Sequence, residues 1–151
     1  MCKENTAPEE MDIATADNND VSRYKVREQA FLLGFESLFS DTDIDEIADN
    51  AGDARDDMLS GDAISRAKGV RNKIMEVDKK ISENLKPGWK ISRISKVSLS
   101  ILRLALYEMM YDDSIPVSVS INEAVELTKK YSVEDEAAFV NGVLGSVAKT
   151  L

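Results

Sequence analysis

Three basic side chains, Arg23, Lys25 and Arg27, open the first patterned stretch of the chain, with Tyr24 between them. Their chemistry is anion recognition, because guanidinium and ammonium groups pair with phosphate oxygens. Their position sharpens the reading. A helix capped at Ser22 would carry these cations in its first turns, where the positive end of the helix dipole disfavours them. They therefore serve a partner anion better than they serve the helix. A second pointer is Asn141-Gly142 inside an apolar helical pattern. Glycine there costs about 0.8–1 kcal/mol relative to alanine. Either another helix packs closely at Gly142 or a functional surface lies beside Asn141.

Other constellations fail their chemical tests. Asp41, Asp43 and Asp45 begin like a calcium loop, but the sixth and twelfth positions are Glu46 and Gly52, where the loop needs Gly and a bidentate Glu. An acidic solvated loop is the expectation. Glu123 and Glu126 stand three apart with Lys129 and Lys130 close behind, the pattern of a solvated helix face. The chain has no His and a single Cys, Cys2. His-dependent triads, His proton shuttles, Cys-based zinc sites and intramolecular disulfides are excluded. No phosphate-cradling loop accompanies the carboxylates, so no active site, cofactor or metal is expected.

The elements that must position these residues follow from composition and periodicity. Apolar residues make up 43%, charged residues 31%, and there are only 7 Gly and 3 Pro. That composition suits a globular helical domain rather than a turn-rich β fold. Net charge is −9 over 151 residues, unfavourable at first sight for a nucleic-acid partner. Clusters set the local field, however. Residues 1–20 carry −5, 21–40 carry +1, 41–62 carry −8, 63–96 carry +7 and 97–151 carry −4. A basic surface and a separate acidic one are both available.

Residues 1–20 are acidic and unpatterned, which predicts a disordered tail followed by one domain over 21–151. Val26, Ala30, Leu33 and Ser37, widened by Phe31, Phe35 and Leu38, predict a helix from Ser22 to about Leu38. A short helix is expected around Ile44–Ala51. Ala67, Val70, Ile74, Val77, Ile81 and Leu85 step by three or four, which predicts one long helix over 63–85 with a basic outer face. After a connector over 89–95, Lys96 to Tyr111 is apolar almost all round and should be central. Pro116 fits the first turn of the next helix, with Val117, Ile121, Ala124, Val125 and Thr128 inward. Ser132 and Asp135 resemble a capping box before a last helix burying Phe139, Val140, Val143, Leu144, Val147 and Leu151. No apolar run approaches the length of a membrane span, and residues 1–20 lack the apolar region of a secretory signal.

ILRLALYEM (101–109), IPVSVSINEAVELTKKY (115–131) and FVNGVL (139–144), together with Arg27-Glu28-x-Ala30, closely resemble the NusB family of bacterial transcription antitermination factors. The resemblance covers about residues 22–149. It implies an all-α fold of about seven helices in two small packed bundles. It also implies binding of boxA leader RNA together with NusE, a small-subunit ribosomal protein. The pair then loads onto RNA polymerase in the antitermination complex with other Nus factors. No catalysis is implied, and the setting is the cytoplasm. Family RNA contacts carry over as Arg23, Lys25 and Arg27 on the first helix, and as Phe139 and Asn141 in the last. An aromatic on the first helix of many members matches Phe35. Two departures, Tyr24 interrupting the basic run and Ala138 where relatives often have a basic residue, imply weak RNA binding without NusE. Some members self-associate, so a homodimer is a further possibility.

Two rivals belong to other classes. A NusB-like domain precedes the catalytic domain of a family of ribosomal RNA cytosine methyltransferases, but no Gly-rich nucleotide-binding unit follows Leu144 here. A helical adaptor for proteins with weak or no RNA binding is the other, with the thinned basic run as its support.

Overall fold

A computed structural model describes residues 23–54 and 59–151, with side chains omitted for 51–54. Ser22 and the expected tail over 1–20 lie outside the described residues. Seven α-helices and no strand are found among those described: α1 (residues 23–37), α2 (Ile44–Ala54), α3 (Gly61–Asn72), α4 (Ile74–Glu83), α5 (Lys96–Tyr111), α6 (Val117–Tyr131) and α7 (Glu134–Ala148). The connector before α5 contains one 3-10 turn, Ile91–Arg93.

Helix α5 is the axis. Ser98 to Leu102, Leu104 to Leu106, Glu108 and Met109 are all buried in it. Its all-round apolar sequence is satisfied because α3, α4, α6 and α7 each pack against it. The main core joins Ala30 and Phe31 of α1 to Val77 and Ile81 of α4, Leu102 and Leu106 of α5, Leu127 of α6, and Val140, Leu144 and Val147 of α7. A smaller core under α2 joins Leu33, Ile44, Ile47, Ala48 and Ala67. Helix α1 thus feeds both bundles from adjacent stripes, and Ser60 N–H donates to Gln29 Oε1 at 2.9 Å to tie α3's start to it.

Four expectations are corrected. The helix expected over 63–85 is two helices. Lys73, at φ −109° and ψ 18°, breaks it, with its N–H shared by the carbonyls of Gly69 and Val70. The hydrogen bond from Val77 N–H to Lys73 O at 2.9 Å restarts the ladder at once, so the apolar period passes through the bend unbroken. Pro116 is the N-cap of α6 rather than its first residue. The last helix stops at Ala148 and leaves Leu151 56% exposed. On α6 the fully buried positions are Ser120, Ala124, Leu127 and Thr128, one step round from the expected face. Val117, Ile121 and Val125 are half-buried at its edge.

Close packing by glycine does occur, but on α3. A Cβ on Gly69 would lie 2.2 Å from the Tyr107 hydroxyl oxygen. Only a residue without a side chain lets α5 place that tyrosine here.

Candidate nucleic-acid interface

Arg23 and Lys25 are exposed on the first described turn of α1, and neither forms an ion pair among the described residues. Arg23 lines a groove shared by α1, the start of α3 and the connection from α5 to α6, together with Asp62, Ser114, Pro116 and Glu123. Two exposed cations without an acidic partner among the described residues form a ready anion site.

Arg27 does not join them. It lies one turn further in and is only 7% exposed. Its Nε donates to both oxygens of Glu108, at 3.2 and 3.1 Å. Glu108, 1% exposed, also accepts Arg66 Nη1 at 2.6 Å and Ser120 Oγ at 3.0 Å. This buried carboxylate thus stitches α1, α3, α5 and α6 together. The expected trio of RNA-facing cations is therefore a pair at the surface and a third residue turned inward. The physical reason is desolvation: a buried carboxylate needs charge-assisted donors, and Arg27 supplies one.

The basic outer face expected for 63–85 is also largely committed. Arg66 serves Glu108 and reaches Asp112 at 3.8 Å. Lys68 pairs with Asp45 at 2.9 Å. Arg71 donates to the Thr42 carbonyl at 3.4 Å, and Lys73 lies 5.3 Å from the Tyr111 ring centre.

The aromatic candidates sit elsewhere. Phe35 is half-buried, its ring 6.2 Å from Phe31 and 5.1 Å from Phe39. Phe39 is 61% exposed, with Lys96 Nζ 5.8 Å from its centre. Phe139 is half-buried, and its ring stacks obliquely on Trp89 at 5.8 Å and 31°. Asn141 is exposed and lines a groove between α6 and α7 with Asn122, Glu126 and Lys129. Two residues of helix turn the side chain through about 200°, so Phe139 and Asn141 look in different directions. A further correction concerns Gly142: it is exposed, and nothing lies within 4 Å of where its Cβ would be. Close helix packing among the described residues does not account for it. Glu126 pairs with Lys129 at 3.5 Å, as the solvated-face reading of Glu123 and Glu126 requires.

Two carboxylate knots brace this region. Glu28 Oε2 accepts Lys130 Nζ at 2.5 Å, Tyr131 Oη at 2.7 Å and Tyr24 Oη at 3.4 Å. Burial pushes Glu28 upward, but the donors from Lys130 and Tyr131 outweigh it and hold the group below the usual carboxylate range. Burial, reinforced by the same carboxylate, pushes the Tyr131 phenol up to about 12. The second knot corrects the expected capping box. The N-cap of α7 is Val133, without a side-chain cap, and Ser132 Oγ instead donates to Glu136, as do Ser95 and Ser98. Those donors, Ser132 first, lower the Glu136 pKa. The sequence reasoning missed Trp89, Phe39 and Lys96 as surface residues. A lone tryptophan inside the most basic segment was the available signal.

No helix among the described residues is long and apolar enough to cross a membrane. The NusB family model matches residues 24–149. A transcription antitermination protein NusB from Clostridium botulinum (strain Kyoto / Type A2) is 41% identical over 143 residues, covering 84% of this chain and 99% of that protein. The solved structure of T. maritima NusB superposes with a TM-score of 0.74 at 32% identity, covering 84% of this chain and 90% of that one. A crystal structure of antitermination factors NusB and NusE in complex with dsRNA matches at a TM-score of 0.76 and 25% identity, covering 85% and 97%.

Proposed function

The chain belongs to the NusB family, and from that premise we propose that it is a transcription antitermination factor acting with NusE on boxA leader RNA of ribosomal RNA operons. The assembly would load onto RNA polymerase with other Nus factors in the cytoplasm and keep transcription processive. The C. botulinum relative is named a transcription antitermination protein, and the solved complex of NusB with NusE and dsRNA supplies the partner classes. The chemistry is binding, with no catalytic step.

On this chain, the observation that carries the RNA reading is the exposed cation pair Arg23 and Lys25, which form no ion pair among the described residues. They would anchor phosphates. The half-buried ring of Phe139 would stack on a base. Exposed Asn141 offers an amide for base or sugar edges, and the open helix face at Gly142 lets a partner approach the backbone. Phe35, with Phe39, supplies an aromatic surface at the far end of α1. Arg27 contributes by fixing α1 against α5. The acidic excess of residues 97–151 would steer the basic NusE.

Fluorescence anisotropy of labelled boxA RNA at several salt concentrations, with and without NusE, tests this. Saturable, salt-dependent binding that tightens with NusE is expected, and Phe139→Ala should weaken it by about 1–3 kcal/mol. A second reading, a protein-only helical adaptor, is favoured by the diversion of Arg27, which leaves two cations at the anchor. NusE binding without any RNA binding would establish that reading instead.

A further inference from the structure

We propose that Trp89, with Phe139 behind it, is a stacking platform for an unpaired nucleobase, flanked by Lys86, Lys90 and Arg93 as phosphate contacts. The inference rests on the RNA-binding reading and adds a place where bases are held apart from the Arg23–Lys25 anchor.

Trp89 is 49% exposed. A tryptophan placed for packing alone would bury its large apolar surface. The turn beneath it is built to hold the indole outward. Trp89 N–H donates to the Lys86 carbonyl at 3.0 Å, with Pro87 and Gly88 at the central positions and Gly88 at φ 87°. That is the type II pattern, in which proline fixes the first corner and glycine alone adopts the second without strain. Phe139 lies 5.8 Å away at 31°, so the indole rests on a second ring rather than swinging free.

The electrostatics fit an anionic polymer. From Asn84 to Tyr107 the chain has no acidic residue, while Lys86, Lys90, Arg93 and Lys96 fall within it. Lys86, Lys90 and Arg93 are exposed and form no ion pair among the described residues. The nearby Glu136 carboxylate is already occupied by three serine hydroxyls. Cations alternating with an exposed aromatic pair are what a single strand needs: backbone charge neutralised and base faces stacked. A duplex keeps its bases inside and cannot use the indole.

Trp89 is the single tryptophan, so its emission reports on this place alone. The full chain, with NusE, is titrated with a short single-stranded RNA and with its duplex. Binding is read by anisotropy of the labelled RNA, and quenching is taken as the difference between wild type and Trp89→Phe. The single strand should quench Trp89. Trp89→Ala should raise its Kd about tenfold or more while Trp89→Phe stays near wild type. Duplex affinity should be unchanged by either variant. Changing Lys86, Lys90 and Arg93 to Gln should flatten the salt dependence, which Trp89→Ala should not. Circular dichroism verifies that each variant is folded. Gly88→Ala, which displaces the indole without removing it, should weaken single-strand binding as well. Unchanged single-strand affinity in Trp89→Ala would overturn the platform and leave the function standing. Loss of NusE binding instead would make the indole a protein contact and refute the platform too. Absence of RNA binding by the wild type under all conditions would overturn the function and the platform together.

Discussion

Arg23 and Arg27 are both arginines one turn apart on α1, yet their removal should have opposite signatures. Arg27→Ala strips two hydrogen bonds from Glu108, which is 1% exposed. Breaking a buried pair costs about 3–5 kcal/mol when the remaining charge is left uncompensated. Glu108 keeps Arg66 at 2.6 Å and Ser120 at 3.0 Å, so the lower end, about 3 kcal/mol, applies here. For a domain of this size that corresponds to a fall in Tm of about 10 °C. Arg23→Ala and Lys25→Ala remove exposed cations facing the positive end of a helix dipole, so stability should hold or rise by a few tenths of a kcal/mol. Their cost falls on RNA: each should reduce the log–log salt slope by about 0.7 for a single strand. Urea denaturation and salt-dependent anisotropy on the same three proteins separate the two signatures. If Arg27→Ala lowered the salt slope while keeping the wild-type urea midpoint, Arg27 would face RNA and the buried pair would be refuted.

Three further outcomes are expected. Gly142→Ala should stabilise the fold by about 0.5–1 kcal/mol, because nothing lies near the added methyl, and weaken RNA binding; a loss of stability in thermal melts would show that α7 packs there. Gly69→Ala should instead destabilise by about 1–2 kcal/mol, since the methyl meets the Tyr107 hydroxyl and the ring carbon that bears it, and in the same melts Gly69→Ala should cost less in a Tyr107→Ala background, where the ring is gone. Glu28 and Glu136 both have folded pKa values below the ordinary 4.5, so their contribution is complete above that value and lost as pH falls through the lowered ones; Glu28→Gln and Glu136→Gln should flatten the acid side of a stability–pH profile, and an unaltered profile would refute the knots.

How far the sequence disclosed this molecule can be judged element by element. Helix α5 was legible to its ends, Lys96 and Tyr111, because an all-round apolar run bounded by Ser95 and Asp112 has few other readings. The bend at Lys73 was not, because the apolar period continues across it and the lost geometry is local to one residue. The burial of Arg27 was invisible for a different reason. Its partner Glu108 lies 81 positions away, and periodicity carries no information on long-range pairing. At the candidate interface, residue types were informative and directions were not. Phe139 and Asn141 share a motif but look away from each other, and Trp89 was passed over because a connector gives no pattern from which to judge exposure.

The junction at Glu108 also bears on how this sequence can drift. Four helices meet at one carboxylate, so Arg27, Arg66, Glu108 and Ser120 are not independent positions. Each single change leaves the others with a buried charge or hydroxyl to satisfy, although an apolar set of similar volume installed all at once could be neutral or better. The route between those two solutions passes through unstable intermediates. The quartet should therefore change jointly or not at all, and its substitutions should be strongly non-additive. Arg23 and Lys25, about 6 and 3 Å of helix rise from that lock, remain free to vary one at a time.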